Sequence, residues 1–120
     1  MTRRNSNPNS NPLHRYLMDT TSWMGRNFFT GGSIISLNSY FHLAPPELHL
    51  KDVQPVNGTG YSKTLLAWLA LQEGKRDVLV EKYGSVFYEG FRMFYISCAE
   101  AFAANSGNEF MCGYYTFVKR

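Results

Sequence analysis

Only two stretches of this 120-residue chain read as β-strand, and helical sequence separates them. Leu48 to Val56 alternates, with Leu48, Leu50 and Val53 among His49, Lys51, Asp52 and Gln54, and an irregularity is expected near Asp52. Phe110 to Val118 alternates again, with Tyr115 and Phe117 on one face and Tyr114 and Thr116 on the other. A two-stranded sheet is not stable by itself in water. The pattern therefore reads as one end of an α/β domain whose remaining strands are absent. The length supports one domain or part of one.

The segments around the strands carry helix signals. Asp19, Thr20, Thr21 and Ser22 offer N-caps for a short helix through Trp23, Met24 and Phe28, and Gly31-Gly32 stops it. Ser33 is expected to cap a second short helix carrying Ile34, Ile35, Leu37, Tyr40 and Phe41, ended by Pro45-Pro46. Asn57 to Gly60 reads as a turn. From Ser62 the pattern is helical, with Leu65, Leu66, Trp68, Leu69 and Gln72 on one broad face until Gly74. Arg76 to Lys82 is a shorter helix. Ser85 to Ala104 is the clearest, because Phe87, Phe91, Phe94, Tyr95, Cys98 and Phe102 recur at helical spacing. Residues 1 to 12, MTRRNSNPNSNP, form a low-complexity tract expected to be a disordered Asn/Ser/Pro arm.

Composition narrows the function classes. A net charge of +3 with no basic run beyond Arg3-Arg4 does not point to nucleic acid. Cys98 and Cys112 make no disulfide framework and no metal-ligand spacing, so both are expected to be reduced. His14, His42 and His49 stand far apart, and no metal site is expected. No run of 18 uncharged apolar residues occurs. The polar stretch after Met1 does not read as a secretion signal, so the expected location is cytoplasmic or peripheral at the membrane surface, neither secreted nor transmembrane. The unusual figure is 16% aromatic residues, a rich core or a core plus a cavity for an apolar ligand.

Single motifs say little. Gly58-Thr59-Gly60 before a helix suggests a phosphate loop, but the dinucleotide pattern needs a glycine where Lys63 stands, so a strand-to-helix turn is the simpler reading. Asn57-Gly58-Thr59 matches a glycosylation sequon in a chain without a secretion signal. Tyr61, directly after the glycine turn, can reach a cleft at the strand's C-terminal end, where α/β ligand sites gather.

Taken in order, Phe29-Thr-Gly-Gly32, Val56-Asn-Gly-Thr-Gly-Tyr-Ser-Lys-Thr-Leu-Leu-Ala-Trp68, Tyr83-Gly84, Phe91 to Phe102 and the closing Tyr-Tyr-Thr-Phe-Val-Lys resemble the C-terminal part of cyclopropane-fatty-acyl-phospholipid synthases. These are AdoMet-dependent lipid methyltransferases. The resemblance spans residues 13 to 120, and its most specific element is Tyr-x-x-Thr-Leu-x-x-Trp at 61 to 68. It implies the C-terminal portion of a Rossmann-like class I methyltransferase fold, incomplete as a domain, holding the last two strands, with the final one antiparallel. It implies methylene or methyl transfer from S-adenosyl-L-methionine to an unsaturated phospholipid acyl chain. A bound bicarbonate would take the proton, with Tyr61 as one of its ligands, and Phe28 and Phe29 on the lipid side.

Two positions depart from the family pattern. Gly60 stands where relatives often carry His or Asp, and Thr30 where they often carry Pro. The glycine-rich loop for AdoMet, the acidic residue for its ribose and the other bicarbonate ligands lie upstream of this stretch in relatives. The chain alone is therefore expected to bind neither cofactor and to be inactive. Its expected partners are a phospholipid acyl chain at a membrane surface, and a complementing chain or a second copy along the sheet edge. The alternative is a non-catalytic lipid- or protein-binding module derived from the family.

Overall fold

Nine-residue strand β1 (Leu48–Val56) and eight-residue strand β2 (Cys112–Lys119) pair antiparallel in the computed structural model, which describes residues 21–32 and 34–120. Leu48 lies opposite Lys119 and Val56 opposite Cys112. The register shifts between Leu50, opposite Phe117, and Asp52, opposite Thr116, so Lys51 is an extra residue. The irregularity expected near Asp52 is this bulge, and it has a purpose. Without it Leu50 and Val53, three apart, would point to opposite faces. With it both join Tyr115 and Phe117 on the half-buried face, while Tyr114 is 67% exposed on the other. Pro55 lacks an N–H and is tolerated because β1 is an edge strand.

The intervening chain is helical. Helix α1 (Trp23–Asn27) starts at Ser22, whose hydroxyl accepts the Gly25 N–H at 3.1 Å. The helix expected from Ser33 does not form over 34–36; a 3-10 turn (Leu37–Ser39) and helix α2 (Tyr40–Leu43) follow instead. The β-branched Ile34-Ile35 pair disfavours helix, whereas Tyr40 packs on the sheet, its ring 4.4 Å from that of Tyr115. The Tyr115 hydroxyl donates to the Leu37 carbonyl at 2.9 Å. The reading of residues 1 to 12 as a disordered arm lies outside the described residues.

Helix α3 (Gly58–Glu73) begins four residues earlier than the periodicity suggests. Asn57 is its N-cap, and its side-chain oxygen accepts the Thr59 N–H at 2.9 Å, which draws the glycine pair into the first turn. Helix α4 (Arg76–Tyr83) and helix α5 (Ser85–Ala103) follow, divided at Gly84. Helix α5 ends in a 3-10 turn (Ala104–Gly107) in which Asn105, Ser106 and Gly107 all have positive φ.

Helices α3 and α5 run antiparallel. The buried Ser62 hydroxyl donates to the Ala99 carbonyl at 2.8 Å, and Gln72 donates to the Tyr88 carbonyl at 3.0 Å. Leu65, Tyr88, Cys98, Ala99, Ala101 and Phe110 are buried. The chain divides into two compact units between Ser36 and Leu37. The strands and helices α2 to α5 all belong to the second. Its core is thin for its length, since Leu71, Val78, Val86, Trp68 and Leu66 are all at least 43% exposed.

Candidate functional site

Tyr61 occupies the first turn of α3, and two junctions flank it. At Asn57, the side-chain nitrogen donates to the Ser106 carbonyl at 2.9 Å, while the oxygen also accepts the Thr59 hydroxyl at 2.6 Å. This cross-link ties the start of α3 to the left-handed turn after α5. Gly58 seats the joint: a Cβ there would collide with the Phe102 and Phe110 carbonyl oxygens. One residue past Tyr61, Ser62 pins the same helix to Ala99. Backbone approach this close requires glycine, which accounts for Gly58 without any phosphate loop. The helix N-terminus is already occupied, because Thr59 N–H bonds Asn57. It is no open cradle for an anion.

The Tyr61 ring stands edge-on to Phe102 at 4.6 Å and to Trp68 at 6.3 Å. Among the described residues nothing hydrogen-bonds its hydroxyl, and no fully buried side-chain polar atom lacks a partner, so the hydroxyl keeps contact with solvent. Burial pushes its pKa above the ordinary tyrosine value, and Cys98, Cys112 and Tyr95 add to the shift in the same direction. Tyr61 is thus a neutral hydroxyl donor at physiological pH. Cys98 is buried and its thiol is pushed up to about 11 by desolvation, so it is no nucleophile at neutral pH.

Beyond Tyr61 the rings continue. Trp68 lies 6.3 Å from Tyr95, Tyr95 6.2 Å from Phe91, Phe91 4.8 Å from Phe87, and Phe87 4.9 Å from Tyr83. This aromatic ladder connects Tyr61 to a groove of about 670 Å³ between α3, α4 and α5. Trp68 and Leu71 from α3, Leu79 from α4, and Phe87 and Phe91 from α5 form half of its wall. The spacing of Phe87, Phe91 and Tyr95 marks an apolar helix face, but not that the face stays half open to solvent. Nor does residue type reveal that Asn57 and Ser62 fix Tyr61. Their only sequence signal is the cap preference of Asn before a helix.

Phe28 and Phe29 belong to the first unit. Phe28 is half-buried, with its ring 5.4 Å from Trp23, and Phe29 is 45% exposed. Among the described residues no group of three His, Cys, Asp or Glu side chains could hold a metal ion. No described helix is long and apolar enough to cross a membrane. Of the bicarbonate ligands that the resemblance implies, this chain carries Tyr61, whose hydroxyl has no partner among the described residues and could donate to such an anion. The sequence matches no protein-family model and no curated protein.

Proposed function

We propose that this chain is the C-terminal part of an AdoMet-dependent methyltransferase of the cyclopropane-fatty-acid-synthase type, acting on an unsaturated phospholipid acyl chain. The observation that carries the reading is Tyr61. It is a neutral phenol with an unpartnered hydroxyl, locked between two interhelical hydrogen bonds and walled by rings. Chemistry that passes through a cationic carbon needs a weak base held still beside apolar and aromatic walls. Tyr61 would supply the donor that orients such a base. If bound, AdoMet would supply the transferred carbon and bicarbonate the proton acceptor. The antiparallel β1–β2 pair supports the same reading, since the resemblance implies an antiparallel final strand. So does the extent of exposed apolar side chain, which suits a domain with more sheet and helix to cover it.

The chain alone should transfer no labelled carbon from AdoMet to unsaturated phospholipid vesicles. The decisive protein is the chain extended upstream in its own reading frame. If that extension supplies a strand and a glycine-rich loop, the extended protein should label lipid. Tyr61→Phe should then slow it by about 10² to 10⁴, the scale of a lost acid–base contact. An upstream frame without such a loop, or full activity in Tyr61→Phe, would remove the reading.

The second reading is a non-catalytic binding module, favoured by the groove between α3, α4 and α5, whose volume suits a small ligand without any catalytic group.

A further inference from the structure

We propose that the groove between α3, α4 and α5 binds a free long-chain fatty acid, with the chain along the aromatic wall and the carboxylate at the cationic edge formed by α4. This goes beyond the methyl-transfer reading and needs neither AdoMet nor Tyr61, so its failure would leave that reading untouched.

Charge placement carries the argument. The groove lining is apolar and aromatic except for Gln72, three tyrosines and one charge, Lys75. Gln72 already spends its amide nitrogen on the Tyr88 carbonyl. Two more cations stand over the faces of wall rings: the Arg76 guanidinium, which also lies 4.0 Å from the Asp77 carboxylate, is 5.6 Å from the Tyr88 centroid, and the Lys82 ammonium is 5.2 Å from that of Tyr83. Lys75, Leu79 and Tyr83 follow one another at four-residue spacing, so they share the groove side of α4. Asp77 and Glu81 also share a side, turned away by about half a revolution, and the Asp77 side chain is fully exposed. The acids of α3 and α5 nearest the groove are engaged elsewhere: Glu73 with Arg92 at 3.3 Å and Glu89 with the same arginine at 4.0 Å. Among the described residues no carboxylate lines the groove or pairs with Lys75 or Lys82.

The occupant that fits has an apolar body and an anionic end. A volume of about 670 Å³ accommodates one alkyl chain with its head group and lies inside the usual range for ligand pockets, about 300 to 1,000 Å³. A neutral hydrocarbon would leave Lys75 and Lys82 without a counter-charge. An acidic peptide would leave the aromatic wall wet.

Trp68 sits in the wall and reports occupancy directly. In the Trp23→Phe chain it is the sole tryptophan. Dibromostearate, added below its critical micelle concentration, should quench it saturably. The methyl ester should bind about five- to tenfold more weakly, the scale of one or two partly exposed ion pairs. Lys75→Gln with Lys82→Gln should remove the difference between acid and ester. Displacement of a fluorescent fatty acid from the unaltered chain by hexadecanoate gives the same answer should Trp23→Phe fail to fold. Equal binding of acid and ester would overturn the proposal. So would quenching only by brominated phospholipid in anionic vesicles, which would make the groove a bilayer contact. An unquenched Trp68, with a mass that rises with concentration and falls in Leu71→Asp, would assign the groove to a second copy and likewise overturn it.

Discussion

Asn57 concentrates more structural duty than any other polar side chain in the second unit. Its oxygen caps α3 and its nitrogen holds the turn after α5. The two roles separate by substitution. Asn57→Asp keeps the capping acceptor but loses the donor, and sets a carboxylate against the Ser106 carbonyl and the Asn108 side-chain oxygen, 3.5 Å away. Asp and Asn are near equals as simple caps. Asn57→Asp should nevertheless lower stability by about 1 to 3 kcal/mol in urea denaturation at pH 7, the cost of an unsatisfied polar group. A loss under a few tenths would show that the cross-link contributes nothing. Cys98 makes a second prediction. Its pKa rises from 9.0 to about 11 on folding. Below pH 9 both states keep the proton and stability is unaffected. Between pH 9 and 11 the unfolded chain sheds a proton that the folded chain retains, so stability falls. Tyr61 shifts in the same direction and adds to the loss. The urea midpoint should therefore drop from pH 8 to pH 10.5, and less so in Cys98→Ala. At pH 8 a maleimide should label the exposed Cys112 and spare Cys98.

The elements show what could be read from residue order and what could not. Both strands, α4 and α5 stand where alternation and helical periodicity predict them, because each has one face against protein and one against water. The start of α3 escaped that logic. Its first three residues, Gly-Thr-Gly, carry no apolar side chain, and its helical form depends on Asn57 and on backbones about 44 to 52 residues away in sequence, at Phe102, Ser106 and Phe110. The segment around Ile34 failed for the opposite reason: apolar residues at helical spacing do not overcome β-branching when few partners await them. At the α4–α5 corner, Gly84 adopts φ 86° and ψ 160°, a region open essentially to glycine alone. Gly84→Ala should cost about 1 to 3 kcal/mol. It should also loosen α4 from α5, seen as faster amide exchange in α4 than in α3.

At the scale of the molecule, fold class was the readable part and completeness the inferred part. Two strands separated by helices are what the alternation and spacing of residues 48–118 describe; that the strands pair antiparallel is not in that pattern. The open side of the groove was not readable, because one apolar helix face looks the same whether a partner covers it or not. The outcome is a unit that leaves Val86 88% and Leu71 70% exposed, with a sheet whose two edges are free among the described residues. Such a surface invites association. The purified chain should show a mass that grows with concentration in sedimentation, and added hexadecanoate should reduce that growth by covering the groove. A concentration-independent monomer with a single cooperative melt would contradict this.

The Asn57–Gly58 joint also sets how the protein ages. An asparagine followed by glycine is the dipeptide most prone to lose ammonia, because the glycine nitrogen can attack the side-chain carbonyl and close a succinimide, which water then opens to aspartate or isoaspartate. Here the attacking nitrogen and its target are immobilised in a helix cap, with ψ 136° at Asn57 and both ends of the amide bonded. Ring closure must wait for the joint to open. The conversion rate at Asn57, followed by peptide mass over weeks, is then a clock that counts openings of the α3–α5 junction. It should run markedly faster in urea, or in a Ser62→Ala chain, than in the folded protein, and an equal rate would mean that the joint is not closed in solution.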